Sequence, residues 1–297
     1  MISLDGYYIN LDRSPARRAA MEAELQKRNL SFVQRFPAVD GRTVPEPNAC
    51  VIPLAAYGSF LSHDQVIRTA SADSCTLILE DDMQLSDDLA GSLTQENLAV
   101  FQDYDLVFLD CQPAIDYRLP SFYYRATFSM PNLYVSEAPP ELRRRTDAVG
   151  VFPALDFYSW GAAAYLVTPR GKPKLVEHLK RTLDRGPPGP LDILYRHLID
   201  DGTLNAAVLK PFLATPDIQG MRESTIEGRE QPEIPFTLLS AIRRLFFAGD
   251  IGGVREWVNA VVPDMELPSD DAGMLFALMR QIDNGLKDNP LYLTLGK

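Results

Sequence analysis

Three consecutive carboxylates follow a short apolar run. The apolar residues 77–79 lead directly into Glu80, Asp81 and Asp82. Adjacent negative charges repel one another, so folds disperse them unless a cation or a field of hydrogen-bond donors neutralises them. Carboxylate oxygens suit Mn²⁺ or Mg²⁺, which bind through one or two carboxylates together with the phosphates of a substrate. The run therefore predicts a divalent-metal site. The alternative is a solvated strand end or the N-terminal cap of a following helix.

The composition excludes one large class of partners. The chain has 297 residues, 46% of them hydrophobic, which is enough for one large core domain or a main domain with a smaller appendage. A formal net charge of −11 and a pI near 4.8 argue against nucleic-acid binding, which needs a concentrated basic surface. The basic cluster at 143–145 is short, and it is either a solvated loop or a contact for an anionic acceptor.

Cysteine usage and the N-terminus bear on the compartment. Cys50, Cys75 and Cys111 are odd in number, widely spaced and without a CxxC pair, so neither a disulfide framework nor a zinc site is predicted. The sequence shows neither a signal peptide nor an apolar span approaching the ~20 residues that cross a bilayer. We expect a cytoplasmic protein, with peripheral contact at the inner membrane left open.

Strand and helix patterns alternate along most of the chain, as in an α/β fold with a mostly parallel sheet. Predicted strands lie at 6–11, 31–36, 76–79, 104–109 and 162–167, and predicted helices follow Ser14-Pro15 and cover 57–70 and 172–183. Parallel sheets bind ligands beyond the carboxyl ends of their strands, which is where the three acids should emerge.

The pattern changes in the last quarter of the chain. Amphipathic helices are predicted at 236–248, 250–262 and 269–286, so we divide the chain into a main domain at 1–230 and a small all-helical appendage at 231–297. The apolar faces of these helices could cover the main domain, form a homodimer interface or dock on a membrane.

Seven motifs in order carry a family resemblance. They are YINLDR at 8–13, FPAVDG at 36–41, GSFLSH at 58–63, ILEDD at 78–82, GAAAYLV at 161–167, PLD at 190–192 and ESTI at 223–226. Together they resemble glycosyltransferase family 25, the lipooligosaccharide and collagen galactosyltransferase-like group. The resemblance covers residues 6 to about 228 and leaves out the helical tail.

This resemblance implies a fold, a reaction and a metal. The fold is GT-A, a Rossmann-like domain whose acidic motif binds Mn²⁺ or Mg²⁺ and the donor diphosphate. The reaction moves a hexose, expected to be galactose from UDP-galactose, to a glycan or glycolipid acceptor in bacterial lipopolysaccharide or other surface-glycan synthesis, with inversion. By resemblance Glu80 and Asp82 hold the metal, with Asp82 the direct ligand, whereas Asp81 contacts ribose or orients the others.

The resemblance also suggests the donor-binding residues. The uridine side of the pocket would include Asn10, Asp12, Arg13 and Arg17, for which capping and surface pairing are the alternatives. Asp40 would hold the nucleoside or form an Asx-type turn. Two helical neighbours, Ser62 and His63, would lie near donor or acceptor, although a lone helix histidine is more often structural.

For the catalytic base the sequence offers Asp192. An inverting transfer needs a carboxylate that accepts the proton of the acceptor hydroxyl, and Asp192 matches the family's Pro-x-Asp element. The alternative is a helix N-cap. Gln219 lies where related enzymes place a further metal or phosphate contact, for which an amide is a poor ligand.

One long segment is a candidate acceptor loop. Residues 112–156 carry aromatic rings that would stack on sugars or pack the loop onto the domain: Tyr117, Phe122, Tyr123, Tyr124, Phe128 and Tyr134. The competing function for the whole chain is a non-catalytic relative that binds or assembles partners through its helical tail.

Overall fold

The structure is a computed structural model that describes residues 1–45, 51–114, 119, 149–218, 234–250, 253–263, 265–268 and 271–286. Several predicted features lie outside these residues: Cys50, the six aromatic residues of the candidate acceptor loop, the basic cluster at 143–145, Gln219 and the motif at 223–226.

A seven-stranded sheet in the order β2-β1-β3-β9-β5-β10-β7 forms the centre of the fold. Five strands run in one direction, whereas β9 and β7 run antiparallel to their neighbours. The strands of the fold are β1 Ser3–Asn10, β2 Val33–Pro37, β3 Ser74–Glu80, β4 Met83–Leu85, β5 Leu106–Phe108, β6 Gln112–Pro113, β7 Gly150–Pro153, β8 Tyr158–Trp160, β9 Ala164–Val167, β10 Ala206–Lys210 and β11 Ala214–Pro216. The predicted mixed α/β class with a mostly parallel sheet is confirmed.

Helices cover both faces of the sheet. They are α1 Pro15–Lys27, α2 Leu54–Thr69, α3 Leu89–Ser92, α4 Gln95–Phe101, α5 Gly171–Arg185, α6 Leu191–Asp200, α7 Ile234–Leu245, α8 Val254–Val261 and α9 Asp271–Leu286. The predicted helix after Ser14-Pro15 is confirmed, with Pro15 in its first turn, where a missing N–H costs nothing.

The central strands are apolar because both faces of the sheet are covered. Alternate side chains of a strand point to opposite faces, and β3 shows the result: Ile78 belongs to one hydrophobic cluster, and Leu77 and Leu79 belong to the other. All three side chains are fully buried. A sheet covered on both faces leaves the strand ends as the place where polar side chains reach solvent.

Strand β9 lies antiparallel between β3 and β5, and this arrangement shapes the carboxyl edge of the sheet. The main-chain N–H of Glu80 donates to Ala163 O, and that of Leu109 donates to Ala164 O. The residues that precede β9, including Gly161, therefore lie at the same edge as the three acids. The segment that precedes β9 thus lies between the carboxyl ends of β3 and β5.

Helix α7 packs in the same hydrophobic core as α2 and α6, through Leu238, Ile242 and Leu245. Main-chain hydrogen bonds also join Phe212 to Phe246 and Ala248. The division at residue 230, the homodimer and the membrane contact of the helical tail remain predictions. None of the helices in the described ranges is long and apolar enough to cross a membrane.

Candidate active site

The three acids lie at a turn on the carboxyl edge of the sheet. Glu80 ends β3, Asp81 and Asp82 form the turn, and β4 begins at Met83. The alternative that they cap a helix is wrong, because the chain continues as a strand. They line a cleft of about 280 Å³ that is also lined by Arg13, Arg17, Asp40 and Ser62. We refer to this space as the cleft.

Asp81 is held by two neighbours. Asn10 Nδ2 donates to Asp81 Oδ2 at 2.6 Å, and Arg17 Nη1 donates to Asp81 Oδ1 at 3.1 Å. Its side chain is 10% exposed. Burial raises the pKa of Asp81, although the bonds from Asn10 and Arg17 oppose the rise. Both oxygens accept hydrogen bonds from the protein, so Asp81 orients the turn and anchors Arg17.

Asn10 is a buried positioning residue. Its side-chain oxygen accepts from Arg35 Nε at 2.9 Å, and its Nδ2 also donates to Ser14 O at 3.2 Å. Arg35 reaches on to Asp12 Oδ1 at 2.5 Å. Asn10 is 1% exposed, whereas the Asp12 side chain is 83% exposed. Asn10 therefore fixes Asp81 relative to β1. No pattern in the sequence indicated Arg35, which orients both Asn10 and Asp12.

Asp82 lies in an excess of negative charge. Burial raises its pKa to about 7, with further contributions from Glu80 and Asp81, against which Arg17 and Arg243 act. Arg17 Nη2 lies 3.3 Å from Asp82 Oδ2. The side chains of Glu80 and Asp82 are 36% and 21% exposed. This pair remains accessible from the cleft, unlike Asp81.

The residues at the turn fit a divalent cation that draws its other ligands from a substrate. No cluster of three or more His, Cys, Asp or Glu side chains in the described ranges is arranged to hold a metal by itself. Glu80 and Asp82 are two carboxylates beside a cleft, the number that Mg²⁺ typically uses when substrate phosphates and water complete its shell. Burial is the main cause of the raised pKa of Asp82, and the negative charges of Glu80 and Asp81, which a cation would neutralise, add to it.

His63 links Glu80 to the core. Its Nε2 lies 3.3 Å from Glu80 Oε1, and its Nδ1 lies 2.8 Å from Tyr165 Oη. Tyr165 Oη in turn lies 3.1 Å from Tyr195 Oη. Because a carboxylate only accepts, Nε2 donates to Glu80, and in that tautomer Nδ1 accepts from Tyr165. His63 is 1% exposed and therefore holds Glu80 from behind.

This chain of hydrogen bonds gives a graded prediction. Tyr165→Phe should lower the free energy of unfolding by about 1–3 kcal/mol, because it leaves a buried imidazole nitrogen without its donor. Tyr195→Phe should cost less, since the bond between Tyr165 and His63 survives. Urea unfolding of both variants measures the difference, and equal losses would contradict the order of the chain.

Asp40 and two arginines form the far wall of the cleft. Arg13 Nε donates to Asp40 Oδ2 at 2.9 Å, and the main-chain N–H of Arg42 donates to Oδ1 at 3.1 Å. The Asx-type turn is therefore present. The Arg42 side chain, together with Arg13, holds the pKa of Asp40 well below its usual range. Asp40 thereby holds the guanidinium groups of Arg13 and Arg42 at the cleft.

Close backbone contact holds this wall against α2. A Cβ on Gly41 would lie 1.7 Å from Leu54 O, and a Cβ on Gly58 would lie 2.6 Å from Val39 O. Ser62 Oγ completes the contact, accepting from the Val39 N–H at 2.8 Å and donating to Gly58 O at 2.7 Å. Two glycines and a buried serine thus hold Asp40 at the cleft.

Asp192 lies at the start of α6, beside the chain that enters β9. The Gly161 N–H donates to Asp192 Oδ2 at 3.2 Å, and the Ile193 N–H donates to Oδ1 at 2.9 Å. The N-cap position is Pro190, so the capping alternative for Asp192 is wrong. Burial raises the pKa of Asp192, and the charge of Glu80 adds to the rise. A partly buried carboxylate thus lies within electrostatic range of the acid turn.

Two further charged residues at this edge escaped sequence reasoning. Asp110 lies just beyond the end of β5, as Asp81 and Asp82 lie just beyond the end of β3. Arg243 of α7 pairs with Asp110. The strand-end rule would have identified Asp110. Arg243 gave no such signal, because an arginine in an amphipathic helix usually faces solvent.

Comparison with known families gives a match. A family model described as "Glycosyltransferase family 25 (LPS biosynthesis protein)" matches residues 4–192, which is more than half of the chain. The chain belongs to glycosyltransferase family 25. The match runs from β1 to Asp192 and includes the predicted metal, donor and base residues, whereas Gln219 and Arg243 lie beyond it. Among curated proteins no match was found.

Membership of glycosyltransferase family 25 identifies the class of reaction. The protein is a glycosyltransferase of the lipopolysaccharide-biosynthesis family, and it transfers sugar from a donor to a glycan acceptor. The predicted membership of family 25 is thereby confirmed, and six of the seven motifs lie within the match, whereas the motif at 223–226 lies beyond it.

Proposed function

We propose that this protein is a GT-A type, metal-dependent hexosyltransferase that uses a UDP-sugar, UDP-galactose in the simplest case, and inverts the configuration of the sugar. Its acceptor is a saccharide of bacterial lipopolysaccharide, lipooligosaccharide or another surface glycan. One juxtaposition carries the proposal. The accessible pair Glu80 and Asp82 faces a cleft lined by arginines, and the partly buried Asp192 lies within electrostatic range of Glu80.

Glu80 and Asp82 are the residues that would hold Mn²⁺ or Mg²⁺. When bound, such a cation neutralises charge on the donor diphosphate and on the departing nucleoside diphosphate. Asp81 stays engaged with Asn10 and Arg17 and supports the turn. His63 restrains Glu80 from the core side. The chain thus supplies two ligands and the residues that orient them.

The donor binds along the cleft. Arg13 and Arg17 line it and carry the positive charge that diphosphate requires, and Asp40 and Ser62 form its wall beside them. Asn10 and His63 are too buried for direct contact and act through Asp81 and Glu80. Asp12 is highly exposed and is available to the nucleoside side of the donor through its pairing with Arg35.

The transfer requires a base on the face opposite the leaving group. The acceptor oxygen forms a bond to the sugar C1 while the bond from C1 to the phosphate oxygen breaks. The electron pair of that bond leaves with the nucleoside diphosphate, and the acceptor proton goes to a carboxylate. Asp192 is the candidate base. Its burial raises its pKa, which makes its carboxylate a stronger proton acceptor than an exposed aspartate.

A donor screen tests the proposal. The purified protein is incubated with UDP-galactose, UDP-glucose or UDP-N-acetylglucosamine, with Mn²⁺ or with chelator, and release of UDP is measured. We expect one UDP-sugar to be turned over slowly with water as acceptor, and only with metal. Metal-independent turnover would contradict the metal assignment. If UDP-sugars bind but are not turned over with any of the saccharide acceptors added, the result would instead favour a non-catalytic relative.

A further inference from the structure

An arginine from the C-terminal helices reaches the carboxyl edge of the sheet. Arg243, on α7, forms a two-pronged ion pair with Asp110. Its Nε donates to Asp110 Oδ1 at 2.7 Å, and its Nη2 donates to Asp110 Oδ2. The Asp110 side chain is completely buried, whereas 12% of the Arg243 side chain remains exposed. The guanidinium is thus held by a buried carboxylate through two hydrogen bonds and remains slightly exposed.

Sheet geometry places this arginine near the acid turn. Glu80 is the last residue of β3 and Asp110 lies just beyond β5, and these two strands lie on either side of β9. Strands are about 4.8 Å apart, so the two strand ends are separated by roughly 10 Å. A Cβ on Gly161 would lie 3.5 Å from Arg243 Nη2, and the N–H of Gly161 donates to Asp192. Arg243 therefore contacts Asp110 and lies beside Gly161, whose N–H binds the candidate base.

The guanidinium retains donors after it binds Asp110. Arginine has five N–H bonds, of which the fork uses two. Within the described ranges, Asp110 is the only side chain that forms a hydrogen bond with Arg243. Burial lowers the pKa of Arg243 to about 10, and the charges of Asp82 and Glu80 oppose the fall, so both acids are within electrostatic range.

Stability alone explains this pair poorly. Taking two charges out of water costs several kcal/mol per ion, and apolar residues of similar volume often give an equally stable or more stable protein. A fixed arginine fork with spare donors is, by contrast, well suited to phosphate oxygens. The position beside Glu80 and Asp82 supplies the place for such a ligand.

We propose that Arg243 binds the diphosphate of the donor, and that Asp110 is the positioning residue that holds its guanidinium in place. This inference rests on the proposed function and extends the donor site to a helix outside the family match. When the bond between C1 and the phosphate oxygen breaks, negative charge grows on the departing diphosphate. A guanidinium fixed beforehand stabilises that charge without rearranging.

The test compares two ligands that differ only in their phosphates. Binding of UDP and of uridine is measured by calorimetry in the presence of Mn²⁺. Arg243→Gln should weaken UDP binding by about 10- to 100-fold, the loss expected for a hydrogen bond between charged groups, and leave uridine binding unchanged. The matched control is Arg244→Gln, because Arg244 is buried on the same helix but bonds to Pro216 O and Gln84.

Two further variants keep the inference falsifiable if Arg243→Gln folds poorly. Arg243→Lys keeps the charge without the fork and should weaken UDP binding by an intermediate factor. The double variant Asp110→Asn, Arg243→Gln leaves no unpaired charge and should bind UDP as weakly as Arg243→Gln. Thermal unfolding checks each protein before binding is measured.

The outcomes separate this inference from the proposed function. Equal UDP affinity in the wild type and in a folded Arg243 variant would overturn the inference and leave the transferase proposal standing. Parallel losses of UDP and uridine binding would also overturn it, since they indicate a structural role. If the wild type binds no UDP with Mn²⁺, the UDP donor itself is wrong. The same comparison is then made with ADP, CDP and GDP against their nucleosides.

Discussion

Asp192→Asn should lower the rate of glycosyl transfer by about 10³-fold while UDP affinity stays within about twofold of the wild type. General-base catalysis contributes roughly 10²- to 10⁴-fold, and an amide cannot accept the proton of the acceptor hydroxyl. The backbone N–H groups of Gly161 and Ile193 both point at the carboxylate, so the asparagine loses one of two bonds without a change in side-chain volume. The fold should therefore survive.

The measurement is single-turnover transfer to a saccharide acceptor, with UDP binding determined in parallel. Asp200→Asn is a matched control, because Asp200 lies at the other end of α6 with a side chain that is 51% exposed. It should keep full activity. Wild-type rates for Asp192→Asn would assign the base to another residue. A joint loss of rate and UDP affinity would instead place Asp192 in donor binding.

The pH profile provides a second reading of the same residue. Asp192 must be ionised to accept a proton, so the rate should fall as the pH drops through its pKa. Burial raises that pKa, so the fall should begin above the usual range for an aspartate. Its neighbours contribute in opposite directions, because Glu80 raises the value and the backbone N–H groups of Gly161 and Ile193 lower it. An acid limb at the ordinary aspartate pKa would contradict the assignment.

Local patterns in the sequence identified five of the seven strands of the central sheet and missed β7 and β10. The apolar run before Glu80 is β3, and Ser14-Pro15 marks the start of α1. Element ends were less accurate, and the predicted strand at 104–109 is only Leu106–Phe108. The antiparallel direction of β9 was also beyond reach. Its pairing with β3 and β5 depends on contacts between distant segments, which a local pattern does not contain.

The candidate site likewise combines features that local patterns reveal with features that depend on contacts between distant segments. Residues that follow strands, such as Glu80 and Asp82, could be found because strand ends of a parallel sheet meet at one edge. The roles of the individual residues within the site could not be found from the sequence. Asn10 was expected on the uridine side of the donor pocket, and Asp81 was expected to contact ribose or to orient its neighbours. The structure pairs the two with each other. Arg243 reaches the same edge from a helix far along the chain, and only tertiary packing brings it there.

The acid turn gives the second large effect, a loss of metal response. Asp82→Asn should abolish the gain in UDP affinity that Mn²⁺ confers on the wild type, which we expect to be 10²-fold or more, on the order of 3 kcal/mol. The reason is that Asp82 and Glu80 are the accessible carboxylates of the turn. In the variant, chelator should change neither UDP affinity nor turnover. Calorimetric titration of UDP with and without Mn²⁺ measures this.

Variants of neighbouring acids are the controls that show whether the loss of metal response is specific to Asp82. Asp87→Asn alters a side chain that is 81% exposed and should retain the full response to Mn²⁺. Asp81→Asn removes the charge of one of the carboxylates that pair with Arg17, so it should lower stability yet keep a response to metal. Retention of the response by Asp82→Asn and its loss by Asp81→Asn would exchange the two roles. The metal would then bind the carboxylate that the structure assigns to Asn10 and Arg17, and those two residues would have to release it when the donor binds.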